Sequence, residues 1–302
     1  MGKELLSSHI KLHVIVLILG FTAILGKLIE LPATQLVWYR MAIAVISFYV
    51  YLRLKKIDLA IDKTDLLKIF GVGLIVATHW ITFFGAIKIS NVSVTLGCFA
   101  TTTLFTSFLE PFFFRKKINW IEVVIGLVII AGLYLIFRFE TRYATGISVA
   151  LVSAFLAGLF TVFNKKLVKH HQASVISFYE MLGGFIGLSV YLLITGTIST
   201  ESLQLPSLND FIFLFLLGTV CTAYAFAVQV DVMKHLSAYM VTLTINLEPV
   251  YGIVMAFFLF GESERMTGGF YIGTLIILLS VIGFPISNYY LRKRKLQVHQ
   301  SN

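Results

Sequence analysis

The chain has 302 residues, 58% of them hydrophobic and only 13% charged, with a mean hydropathy of +0.90. A soluble domain carries about 25% charged residues, so composition overrides the one or two soluble domains that length suggests and points to an integral membrane protein. The net charge of +9 is not a nucleic-acid footprint, because the basic residues lie between apolar runs, where they orient spans in a bilayer.

A helix needs roughly 20 apolar residues to cross a bilayer. Ten segments meet that length: 12–30, 34–53, 66–88, 92–114, 118–137, 146–168, 174–195, 209–231, 236–260 and 267–290. The first is read as a span and not as a cleavable signal, since it is too long for an h-region and lacks a small-x-small site. The second carries Arg40, the third His79 and Trp80, and the fourth Cys98 and Glu110. The seventh holds Glu180, the eighth Cys221 and Tyr224, and the ninth Asn246, Glu248, Pro249 and Tyr251. The connections are short, the tightest being "KISNV" and "MKHLS" and the longest "TGTISTESLQLPSLND", so no soluble domain is expected in them. The two cysteines sit in apolar segments and read as packing residues rather than a disulfide or a metal pair.

Basic residues then orient the chain. One side collects Lys3, Lys11, Arg53, Lys55, Lys56, Lys63 and Lys68, then Arg115, Lys116, Lys117, Lys165, Lys166, Lys169 and Lys234, and finally Arg292, Lys293, Arg294 and Lys295. The other side has only Lys27, Lys88, Arg138, Arg142 and Arg265. Both termini are therefore expected in the cytoplasm, and the even number of spans agrees in putting them on one side.

The halves of the chain resemble each other. "GFTAILGKL" (20–28) aligns with "LFTVFNKKL" (159–167), and "WYRMAIA" (38–44) with "FYEMLGG" (178–184). "KISNVSVTL" (88–96) aligns with "HLSAYMVTL" (235–243), and "VIGLVII" (124–130) with "YIGTLII" (271–277). The offset steps once, where the second half has its longer loop. Each half holds five spans, an odd number, so the second enters the membrane from the opposite side. The expected organisation is an all-α membrane protein of ten helices in two inverted five-helix repeats, 10–138 and 144–290, followed by a basic cytoplasmic tail, 291–302. In secondary transporters of this plan the substrate site lies near the midplane between the repeats.

With these features the sequence resembles the EamA family of the drug/metabolite transporter superfamily over nearly its whole length. The resemblance rests on "GFTAILGKLIELPATQLVWYR", with its Lys27, Pro32 and Arg40 spacing, on "HWITFFGAIKISNVSVTL", and on "NLEPVYGIVMAFFLFGE". The first half departs from the last pattern. Glu248 and Pro249 align with Thr101 and Thr102, while the first half's own "LEP" (109–111) lies about two turns later, and Arg115 and Lys116 replace its Gly-Glu. The resemblance implies export or exchange of small metabolites such as amino acids, and it does not name one.

A charge at mid-membrane costs about 2.5–3.5 kcal/mol even on lenient insertion scales, so such residues face a bundle interior or a wet cavity. Counting at 1.5 Å per residue puts Arg40 about 10 Å from the outer end of its helix, Glu248 about 18 Å and His79 about 20 Å from the inner ends of theirs. In a core of about 30 Å these three share a layer in the outer half, with Glu110 and Glu180 nearer the inner face. Arg40 has three readings. It is an anion contact or gating partner of Glu248, a fixed pair or cap that holds its helix in place, or a side chain that snorkels outward. Glu248, beside the helix-kinking Pro249, reads as a pathway carboxylate and candidate proton acceptor. Histidine is the side chain whose ordinary pKa lies in the physiological range, so His79 reads either as a pathway residue or as a satisfied core group, and Trp80 follows it as a candidate cavity aromatic. Glu180 aligns with Arg40 and is a candidate pathway residue, so the two gates are expected to carry opposite charge, one on each side. Glu110 reads as an interfacial partner of Arg115, and Lys27 and Lys166 as residues that snorkel at helix ends. Tyr224, Asn246 and Tyr251 are polar enough to line a pathway.

These residues point to a secondary transporter that works by alternating access in the cell membrane. Its partners are a small-molecule substrate, the bilayer and protons as a candidate coupling ion, with no nucleic acid, in a monomer or homodimer. A channel-like or facilitative permease is the alternative. A membrane-embedded enzyme is less well supported, since no HExxH, GxSxG or phosphate loop occurs. No cofactor and no metal are expected, and the adjacent His170 and His171 lack companion ligands in sequence.

Overall fold

A computed structural model describes residues 3–115, 120–196 and 203–280. No strand occurs among them. Eight helical segments are long and apolar enough to cross a membrane, and two shorter apolar helices, Val124–Ile136 and Gly268–Ser280, lie where the fifth and tenth spans are expected. The rest of the tenth span, 281–290, and the tail 291–302 lie outside the described residues.

The first three spans form α1 (Lys3–Leu28), α2 (Ala33–Leu54) and α3 (Lys63–Ile89). α1 begins well before residue 12. Its polar first turns continue the helix, with Glu4 favourably placed near the N-terminus and Ser8 Oγ donating to Glu4 O at 2.9 Å. Asp62 caps α3 by accepting from Thr64 N and Asp65 N, both at 3.1 Å. The fourth span is broken into α4 (Val92–Phe99) and α5 (Thr102–Phe114), followed by α6 (Trp120–Phe139). The second half contributes α7 (Ala144–Leu167) and α8 (Ala173–Ile194). Its eighth span divides into α9 (Leu208–Gly218), a π turn (Thr219–Tyr224) and α10 (Ala225–Val232). The ninth span is α11 (Ala238–Ile245) and α12 (Glu248–Phe260), and α13 (Gly268–Ser280) follows.

The breaks in the fourth and ninth spans fall at positions that the sequence alignment makes equivalent, since Thr101 aligns with Glu248. Pro249 does not kink a continuous helix. It sits in the first turn of a new one, where its missing N–H costs nothing. In the first half the matching break is at Thr101, and Pro111 of "LEP" lies in the last turn of α5. The tight turns before these spans carry their caps. Asn91 accepts from Val94 N at 2.9 Å, and Ser237 from Met240 N at 3.1 Å.

Elements of the two halves interleave. α3 packs on α7 and α8, α2 on α8 and α9, α4 on α7 and α12, and α5 on α7 and α11. Lipid gives helices no hydrophobic drive toward each other, so small residues that let backbones approach set these crossings. A Cβ on Gly73 would lie 2.2 Å from Glu180 O, and one on Gly218 would lie 3.2 Å from Arg40 O. The aligned pair Arg40 and Glu180 thus each back onto a glycine of the other half's third span. Gly73→Val should destabilise the fold by roughly 1–3 kcal/mol. Gly71→Val, whose Cβ meets nothing within 4 Å, is the control. Thermal unfolding in detergent separates them, and equal melting of the two variants would contradict the crossing.

Candidate substrate cavity

Arg40, which the sequence puts inside an apolar span, is 1% exposed. Its guanidinium lies over the Trp80 ring at 3.7 Å and near Phe84 at 5.5 Å. Nε donates to Thr222 Oγ1 at 2.6 Å, and that hydroxyl donates to Leu217 O at 2.6 Å. A hydroxyl bonded five residues back is what the π turn provides, so the local unwinding after Gly218 aims Thr222 at Arg40. One guanidinium nitrogen, Nη1, is buried with no hydrogen-bond partner. Five donors in a fixed fork are more than the surrounding protein satisfies.

Arg40 borders a cavity of about 60 Å³. His79, Trp80 and Glu248 also line it, with Thr22, Thr102, Thr161, Cys221, Gln229 and Thr242 as further polar groups. Phe83, Phe99, Phe160 and Phe226 supply an aromatic wall. Glu248 belongs to the first turn of α12, where the helix dipole favours a carboxylate. Arg40 and Glu248 face the same space, yet no ion pair within 4.0 Å joins them.

His79 stacks on Phe99 at 5.6 Å. Its Nδ1 lies 3.0 Å from Ser153 O and 2.9 Å from Ser153 Oγ, and Ser153 Oγ donates to His79 O at 3.1 Å. A carbonyl only accepts, so Nδ1 carries a hydrogen. Nε2 is the ring nitrogen left for the cavity.

The other sequence candidates lie elsewhere. Asn246 is at the break between α11 and α12, and its amide donates to Ala100 O at 2.7 Å and Thr103 Oγ1 at 2.8 Å. It joins the two broken spans by satisfying a carbonyl that the opposite break leaves free. Tyr224 is 54% exposed and lines a separate recess with Tyr51, Asp231 and Lys234. Tyr251 is 39% exposed. Glu180 is fully buried, in contact with Asn164 of α7. The cavity threonines were not singled out in the sequence. Thr22 and Thr161 are one position in the two aligned halves, so the repeat carried a signal for them.

Both ends of the broken spans are closed by carboxylates from the opposite span. Glu264, just after α12, accepts from Val92 N at 3.1 Å and Ser93 N at 2.8 Å at the start of α4. Lys27 Nζ binds the same carboxylate at 2.7 Å and lies 4.2 Å from the Phe260 ring centroid. Lys27 therefore has an ion-pair partner instead of snorkelling. Glu110 of α5 accepts from Tyr239 N at 2.8 Å at the start of α11. Although expected at the interface beside Arg115, it is 5% exposed and caps a helix. The two broken spans run antiparallel, each started by an acid at the other's end.

The model of the EamA-like transporter family matches residues 7–138 and 144–284. An uncharacterized transporter of Clostridium kluyveri is 25% identical over 239 residues, which covers 76% of this chain and 75% of that protein. An uncharacterized transporter of Bacillus subtilis, YxxF, is 23% identical over 84% of this chain and 82% of its own length. A solved crystal structure shares the fold with a TM-score of 0.66 at 15% identity, covering 91% of this chain and 95% of that one.

Glu264→Gln and Lys27→Met should each lower thermal stability in detergent by about 1–3 kcal/mol, the range for stranding a buried polar partner. The double variant should lose less than the sum, with a coupling of at least about 0.5 kcal/mol. Additive losses would mean that the ion pair does not tie the end of α1 to the end of α12.

Proposed function

The chain belongs to the EamA-like transporter family, and from that premise we propose that it is a secondary transporter of small zwitterionic metabolites, amino acids in class, working by alternating access in the cell membrane. The observation that carries this reading is the cavity that Arg40 and Glu248 both line without forming an ion pair. A zwitterion bridges such a gap. Its carboxylate takes the Arg40 guanidinium, and its ammonium takes Glu248 and the faces of the aromatic wall. His79 Nε2 and the cavity threonines offer further hydrogen bonds.

In the proposed cycle the cavity widens to admit substrate. Opening then follows from releasing one carboxylate cap at a time, Glu264 on one side or Glu110 on the other. We assign the two aligned halves as inverted five-helix repeats, 10–138 and 144–290, with both termini cytoplasmic. The concentration of Lys and Arg on one set of loops supports that orientation, and Gly73 and Gly218 placed alike on Glu180 and Arg40 support the repeat.

Counterflow of radiolabelled amino acids in proteoliposomes tests the reading. Saturable exchange is expected for part of the panel. Arg40→Ala should bring it near background. Arg40→Lys should also lose at least about tenfold, because an ammonium neither forks nor stacks as a guanidinium does. Full exchange by Arg40→Ala would refute the site, and linear, non-saturable flux would favour a channel.

A further inference from the structure

Arg40 and Glu180 occupy one aligned position, but only Arg40 reaches the cavity. Glu180 is 0% exposed. Its Oε2 accepts one long hydrogen bond from Asn164 Nδ2, at 3.4 Å, and its Oε1 has no partner. Two more oxygens nearby are buried and unpartnered, Asn164 Oδ1 on the amide that touches Glu180 and Ser177 Oγ one turn earlier on α8. Among the described residues no ion pair joins a cation to this carboxyl. α3 presents the backbone of Gly73, and its charged residues Asp65 and Lys68 bind each other near the helix start. α2 presents Met41 beside Gly184. α7 presents Asn164, while the neighbouring Lys165 donates to Met233 O. On α10, Asp231 is held by Lys11 and Lys234.

An ionised carboxylate here would be an uncompensated buried charge, which costs several kcal/mol. A hydrogen on the carboxyl turns an orphan acceptor into a donor, and Asn164 Oδ1, on the amide that already contacts Glu180, is an unfilled acceptor beside it. We propose that Glu180 and Asn164 form a proton-binding site, separate from the Arg40 cavity, that loads and unloads during the transport cycle. The balance is simple. The carboxylate takes a proton from water on one side of the membrane, holds it as the acid while buried, and returns it to water on the other side. The helix crossing makes the site responsive to conformation, because the backbone of Glu180 itself is the contact point for Gly73. Any slide of α8 on α3 moves this carboxyl.

This inference rests on the transporter reading, and the experiment separates the two. Proteoliposomes loaded with a pH-sensitive dye receive a mixture of proteinogenic amino acids outside, and radiolabelled counterflow of the same mixture is measured in parallel. In the wild type we expect both proton movement and counterflow. In Glu180→Gln, which keeps the shape, proton movement should fall at least about tenfold while counterflow stays within about threefold. Glu180→Asp should keep part of the proton signal. The infrared difference between wild type and Glu180→Gln should also show a protonated-acid carbonyl band at neutral pH that vanishes in alkali, which needs no substrate. Proton movement that survives in Glu180→Gln would overturn the proposal, as would a missing infrared band or a wild type that exchanges amino acids without moving protons. Failure of wild-type counterflow itself would instead refute the transporter reading.

Discussion

A guanidinium held in the middle of an apolar span is the constraint around which the rest of this protein is arranged. Arg40 cannot lose its charge in any ordinary setting, and leaving it in hydrocarbon is costly. The fold answers with a ring face, a hydroxyl and a shared cavity. Trp80 lies 3.7 Å away, Thr222 accepts at 2.6 Å, and Glu248 lines the same space. Each answer has a structural consequence. The π turn in the eighth span exists where Thr222 must turn toward α2. The break in the ninth span exists where Glu248 must start a helix. Gly218 has no side chain because α9 must reach the backbone of α2.

Breaking two spans in a bilayer leaves backbone groups without water to satisfy them. Here the breaks satisfy each other, with Asn246 of one donating to Ala100 O of the other. At their starts the same two spans are capped by Glu264 and Glu110. A helix start holds several free N–H groups, so a carboxylate there is a strong contact that is also local and exchangeable. Two such contacts stand at opposite ends of the antiparallel pair.

Much of the fold was legible in the sequence. The spans follow from hydropathy, and the positions of Arg40, His79 and Glu248 in one layer follow from counting residues. The breaks were not legible as such. "NLEPV" reads as a kink because Pro249 is visible and the free carbonyls of the opposite span are not. "CFATTT" carries no breaker at all, and its break is explained only by Asn246 on another helix. Tyr224 and Tyr251 share the polarity of cavity residues, but polarity alone does not say which side of a helix faces the bundle. Their exposure of 54% and 39% sets them apart from Asn246, at 1%. Lys27 looks like an end-of-helix cation until Glu264, more than two hundred residues on, is placed beside it. Thr22 and Thr161 show the reverse case, a site signal that was present in the repeat and carried no charge to mark it.

Alternating access to the Arg40 cavity is the central claim, and a native residue reports on it. Cys221 lines the cavity, and Cys98 is the other cysteine of the chain. In a Cys98→Ala protein in oriented vesicles, labelling of Cys221 by a membrane-impermeant thiol reagent should proceed from each side in separate experiments. A transported amino acid should slow it from both. Labelling from neither side while counterflow continues, or labelling that ignores substrate, would contradict a cavity that opens alternately to the two faces of the membrane.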